Sequence, residues 1–180
     1  MRQFSCTLCS LSSFLHRACF DSFSRFFLHF LLAVFAISLC SKLRIDLFGI
    51  PYTPYPYVVT LIGFLCSRSV IISAFPFALL HVVINPFFPT SSNGITIGYF
   101  AGFLLSAIFI NRFKNRINSY IILTFAPLIT LFFGVTYIAF AFASIKYALM
   151  VGLLPFVLTD IMQSFFAFYT IKAFNRLKRN

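Results

Sequence analysis

Residues 153–172 read LLPFVLTDIMQSFFAFYTIK, a run that holds a single acidic residue, Asp160, and is long enough to cross a bilayer. The whole chain has only three acids, Asp21, Asp46 and Asp160, and no glutamate. An ionisable group in hydrocarbon costs roughly 2.5–3.5 kcal/mol on insertion scales, so it is normally kept for a task. Asp160 is therefore the first candidate for a ligand contact. The structural alternative is a buried Asp bonded to a neighbouring helix.

The rest of the chain has the same character. Of its 180 residues 61% are hydrophobic and 9% charged, and the mean hydropathy is +0.97. Apolar windows of about 18 residues or more recur along most of the chain, which predicts several transmembrane helices and excludes a soluble enzyme domain. The net charge of +11 does not point to nucleic acid, because the Lys and Arg residues sit between and after the apolar runs. Cys6, Cys9, His16 and Cys19 form a C-x2-C-x6-H-x2-C group, but that spacing misses the usual zinc patterns and no metal site is expected. The odd count of 5 cysteines argues against a complete disulfide framework. Leu39 is too large for a lipoprotein cleavage site before Cys40.

In chain order, residues 1–25 carry Arg2, Arg17 and Arg25 among Ser and Phe and read as a basic leader, either an interfacial helix or a transit-like segment. The first span is expected over residues 26–43. On it Ala36 and Cys40, and Ile37 and Ser41, stand four apart and form a partial stripe of small residues that suits a partner helix. Residues 44–57, RIDLFGIPYTPYPY, break the helix, with Thr53-Pro54-Tyr55-Pro56 extended. Tyr52, Tyr55 and Tyr57 suit either an interfacial aromatic belt or a loop covering a ligand.

Two spans are expected between Tyr57 and Phe88, separated by Cys66-Ser67-Arg68-Ser69, with Pro76 kinking the second and Asn85-Pro86 ending it. His81 reads as a hydrogen-bonded interior residue. A polar loop over 89–98 leads to a span over 97–111, where Gly94, Gly98 and Gly102 recur every fourth residue and bare one backbone face to a helix or a ligand. A basic turn over 112–118, a span over 120–143, a loop at Lys146 and the last span complete the chain.

Six spans put both termini on one side. That side then carries Arg2, Arg17, Arg25, Arg68, Arg112, Lys114, Arg116, Lys172, Arg176, Lys178 and Arg179, against Lys42, Arg44 and Lys146 on the other. The positive-inside rule makes the richer side cytoplasmic. The expected fold is all-α: a basic leader over 1–25, then one six-helix membrane domain over 26–180.

Three blocks resemble the bacterial biotin transporter (BioY) family, the substrate-binding S-components of energy-coupling factor transporters. Thr53, Pro54 and Pro56 match the family's TPxPIT-Q-T loop, with Val58 in place of Thr and Thr60 in place of Gln. Gly94, Thr96, Gly98, Tyr99, Gly102 and Phe103 match its GPTGGYLLGF block. Pro155, Phe156 and Asp160 match its LPFLPGDLLK block, with Thr159 in place of Gly and Gln163 in place of Lys.

The resemblance implies a biotin-uptake protein of the bacterial plasma membrane, energised by separate ATPase subunits and a transmembrane coupling protein. It implies a pocket holding Asp160 and Gln163, which stand three apart and so share a helical face. Tyr99, Gly98, Thr53 and Tyr55 would complete that pocket. Ala36, Cys40 and Ser41 would meet the partner. No cofactor and no catalysis are expected, since Asp160 has no acidic mate and no Walker motif is present. The alternatives are a carrier for another small molecule, suggested by Gln163, and a non-transporting membrane scaffold.

Overall fold

The computed structural model describes residues 23–40, 43, 45–47, 50–84 and 95–177. Most of the leader, together with Ser41 and Gly94, lies outside them. Helix α1 is Phe23–Cys40. A small antiparallel hairpin follows, β1 (Ile45–Leu47) and β2 (Ile50–Tyr52), with Asp46 opposite Pro51. This hairpin is the one departure from an all-helical reading of the described residues. Then come α2 (Tyr55–Leu65), α3 (Arg68–Ile84), α4 (Ile95–Phe113), α5 (Ser119–Phe142), the single turn α6 (Ile145–Ala148), a π-helical turn (Leu149–Leu153) and α7 (Val157–Leu177).

α1 and α5 are each long and apolar enough to cross a membrane, with mean hydropathies of 1.9 and 2.1. Only 22% of α1 and 44% of α5 is buried, unlike the core helix of a soluble protein. Their outer faces carry Leu28, Leu32, Phe35, Phe132 and Phe140, which need an apolar solvent.

Local chemistry explains the boundaries. The expected extended run stops short, because Pro54 already has φ −80° and ψ 18° and Tyr55 and Pro56 begin α2. A proline in the first turn has no N–H to lose and a φ already suited to the helix. α2 and α3 are separate helices, divided where Cys66 turns extended with ψ 159°. Pro76 lies inside α3. Asn118 caps α5, its side-chain oxygen accepting from the Tyr120 N–H at 3.1 Å. α5 ends at Ala143, whose φ of 49° is left-handed. The loop expected at Lys146 is instead α6 and the π turn, closed by the Leu154 N–H bonding to Leu149 O at 3.1 Å. Pro155 precedes α7 rather than lying within it. His81 is exposed on α3 rather than interior.

The core is small and apolar, joining Ala33 and Ile37 of α1 to Val59 of α2, Ile71 and Ala74 of α3, and Ala107 of α4. At one end the C-terminal carbonyls of α2 are satisfied by side chains of the α4–α5 region. Asn111 Nδ2 donates to Cys66 O at 2.8 Å and to Gly63 O at 3.2 Å, and Lys114 Nζ donates to Phe64 O at 2.6 Å. These bonds bring Arg68 and the basic turn at Arg112–Arg116 to the same end of the bundle.

α4 and α5 interlock through glycine. Tyr99 packs into the space over Gly134, and Tyr137 into that over Gly98. A Cβ at Gly102 would stand 2.7 Å from Thr130 Cα and 2.8 Å from Thr130 O, both backbone atoms with nowhere to go. We therefore expect Gly102→Val to destabilise the purified protein by about 1–3 kcal/mol. The measurement is thermal unfolding in detergent, and an unchanged melting temperature would contradict this packing.

Candidate functional site

Three polar side chains enter the bundle together near the start of α7. Asp160, Gln163 and Ser164 are 6%, 3% and 1% exposed. They share a face because residues three and four apart on a helix are neighbours, and that face meets α2. Ser164 Oγ donates to Asp160 O at 3.0 Å. Thr60 of α2 lies within 3.2 Å of Ser164 Oγ and 2.8 Å of Pro56 O. Phe64 and Phe168 continue the contact, with ring centroids 5.8 Å apart.

Gln163 reaches the chain just before α2. Its Nε2 donates to Thr53 O at 3.2 Å, while its Oε1 is buried with no hydrogen-bond partner among the described residues. The Asp160 carboxyl group is buried on the same face. Among the described residues no cluster of His, Cys, Asp and Glu is present that could hold a metal.

Tyr99 comes from the other side. Its hydroxyl donates to Gly152 O in the π turn at 2.9 Å, and its ring stands edge-on to Phe156 with centroids 6.3 Å apart. It lies within electrostatic range of Asp160. Tyr99 thus fixes the segment that leads into α7.

The sequence-predicted residues do not all converge. Asp160, Gln163 and the Thr53 carbonyl come together, with Tyr99 at the side. Tyr55 is buried in the α2–α4 packing, stacked on Phe103 with centroids 5.0 Å apart. Gly98 is occupied by Tyr137, so of the two uses expected for the glycine face, helix packing fills it. On α1, Cys40 is 3% exposed and packs in the core, whereas Ala36 is half-buried beside an outer face of Leu32, Phe35 and Leu39. That burial takes Cys40 off the surface where a partner could reach it.

Thr60 and Ser164 were not anticipated as site residues. Ser164 was legible, since it stands four residues after Asp160 on the same helical face. A cleft of about 310 Å³ opens elsewhere, between α5 and the π turn, lined by Leu128, Leu131, Phe132, Val135, Thr136, Leu149 and Leu153. Its one hydroxyl, on Thr136, is spent on Phe132 O at 2.6 Å. This cleft therefore offers an almost wholly apolar lining.

Comparison with known proteins gives the family of the chain. The family model described as BioY family matches residues 16–180. No curated protein and no solved structure matches the chain. The matched span includes every helix described above, the Thr53 carbonyl, Tyr99 and the Asp160–Gln163 pair, and on it the chain belongs to the BioY family, a family of membrane transporter components rather than enzymes.

Proposed function

We propose that the chain is the substrate-binding component of a vitamin uptake transporter, that its ligand is biotin, and that it binds between the start of α7 and α2. The observation that carries this reading is the buried pair Asp160 and Gln163, the latter with an unpartnered Oε1. Burying polar groups without partners is unfavourable, and buried polar atoms in folded proteins are nearly all paired. A ligand with hydrogen-bond donors removes that cost when it binds, which gives affinity and selectivity together. The ureido ring of biotin presents two N–H donors of the required kind.

Six helices cross the bacterial plasma membrane in this reading: α1, α2, α3, α4, α5 and α7. Both termini and the basic turn face the cytoplasm. Separate ATPase and coupling subunits supply the energy, and they meet α1 along its exposed ridge beside Ala36. Gln163, where the family pattern has Lys, favours one other reading, a different small molecule at the same site.

The ligand reading is tested on purified Asp160→Asn, which keeps the shape but replaces one acceptor oxygen with a donor. Leaving buried groups mispaired should cost about 2–4 kcal/mol, or roughly thirty- to nearly a thousandfold in biotin affinity. A merely structural Asp160 would instead lower the melting temperature and leave affinity intact in whatever protein folds.

The topology is tested by cysteine labelling with the native cysteines replaced. Lys146→Cys, in α6, should react with an impermeant thiol reagent in intact cells. Asn115→Cys, in the basic turn, should react only after permeabilisation. The reverse pattern would contradict the proposed orientation.

A further inference from the structure

The apolar cleft beside α5 has a shape that limits what can enter it. One wall is α5 from Leu128 to Thr136, and Leu149 and Leu153 of the π turn form the other. That stretch of α5 is about 12 Å long, so a volume of about 310 Å³ has a mean cross-section of about 26 Å² and a width of about 6 Å. Such a width admits a single file of methylenes, whose carbons pack about 3.5–4.0 Å from their neighbours. It does not admit a second helix, which needs about 10–12 Å. Phe132 lines the cleft and is 67% exposed, so the cleft opens towards the bilayer that α5 crosses rather than into the bundle.

One end of the cleft is charged. Leu149 follows Lys146 by three residues where α6 passes directly into the π turn, so the two side chains share a face. The chain turns at Ala143, which puts α6 just past the C-terminal end of α5. There the Tyr147 ring packs against Phe142 with centroids 5.2 Å apart, an aromatic pair suited to the membrane interface. The Lys146 side chain is exposed and has no hydrogen bond or ion pair among the described residues. Residues 119–159 contain no Asp or Glu that could neutralise it. We infer that the cleft is a lipid site, in which one acyl chain of an anionic phospholipid lies along α5 and its phosphate meets Lys146. A zwitterionic lipid fits the same groove but carries its own cation beside the phosphate, and so gains less from Lys146. The inference rests on α5 crossing the membrane, and the identity of the transported molecule does not enter it.

The chain contains no Trp, so Phe132→Trp places a single fluorescent reporter on the cleft wall. The full chain carrying it is reconstituted in phosphatidylcholine vesicles that hold a minor fraction of chain-brominated lipid, either phosphatidylglycerol or phosphatidylcholine. Bromine quenches the reporter only from a lipid in contact with it. Brominated phosphatidylglycerol should show an apparent affinity up to about fivefold higher, the size of the attraction between one cation and an anionic lipid surface. Lys146→Gln should abolish that difference. Lys172→Gln, which removes a cation near the far end of α7, should leave it.

Equal quenching by the two lipids with Lys146 intact overturns the inference, and so does a preference that survives Lys146→Gln. A preference lost equally in Lys172→Gln belongs to the overall charge of the chain, and the site falls with it. A reporter that neither lipid quenches means that protein covers the cleft, which overturns the inference in favour of a second copy or another chain. If the Phe132→Trp chain fails to fold, mass spectrometry of wild-type protein purified in mild detergent from membranes of mixed lipid decides instead. One anionic phospholipid retained per chain, and lost in Lys146→Gln, is the expected result. No retained lipid, or retention unchanged by that substitution, overturns the inference.

Discussion

Everything near the site depends on one constraint: the polar atoms that α7 carries into an apolar bundle must find partners inside it. Burying them unpaired is costly. Asp160, Gln163 and Ser164 therefore turn α7 so that all three face α2, where Thr60 and the Thr53 carbonyl stand. That orientation leaves Leu158, Met162 and Phe166 on the outer face. The rotation of the helix is thus set by a few hydrogen bonds more than by its apolar side chains, which occur all round it. The same bonds leave Gln163 Oε1 over, and that residue of unmet demand is what makes the seam a candidate ligand site rather than ordinary packing.

A second device keeps the seam in register. The bare faces of Gly98, Gly102 and Gly134 let α4 and α5 approach until Tyr99 and Tyr137 fill each other's gaps. Tyr99 is thereby held with its hydroxyl against Gly152, just ahead of α7. The π turn places its carbonyl there by widening one turn of helix between α6 and Pro155. Packing at the α4–α5 interface and the position of Asp160 are therefore linked through one tyrosine.

Much of this was legible in the sequence. The apolar runs, Asp160 and the glycine spacing foretold the helices, the buried acid and a close helical face. The break at Cys66–Ser69 divides α2 from α3 as its hydrophilic residues suggested. Other features were hidden for definite reasons. Pro54 and Pro56 read as extended because proline disfavours helix interiors, yet in a first turn that objection lapses. The segment around Lys146 carries no periodicity long enough to reveal a single turn followed by a π turn. Cys40 belonged to a stripe of small residues, but a stripe gives spacing and not which side faces the core. Tyr55 matched a family loop, and only the packing assigns its ring to Phe103. The direction of the Gln163 amide depends on a carbonyl 110 residues away in sequence, which no local pattern encodes.

The proposed function makes this chain a binding component whose affinity resides in its own bundle, with the energy supplied by other subunits. Its most direct test is equilibrium dialysis of radiolabelled biotin against the purified chain alone, with no ATPase or coupling protein present. Saturable binding of one biotin per folded chain, displaced by unlabelled biotin, is the predicted result. A monodisperse, folded preparation that shows no saturable binding would contradict the claim that this chain is a biotin receptor.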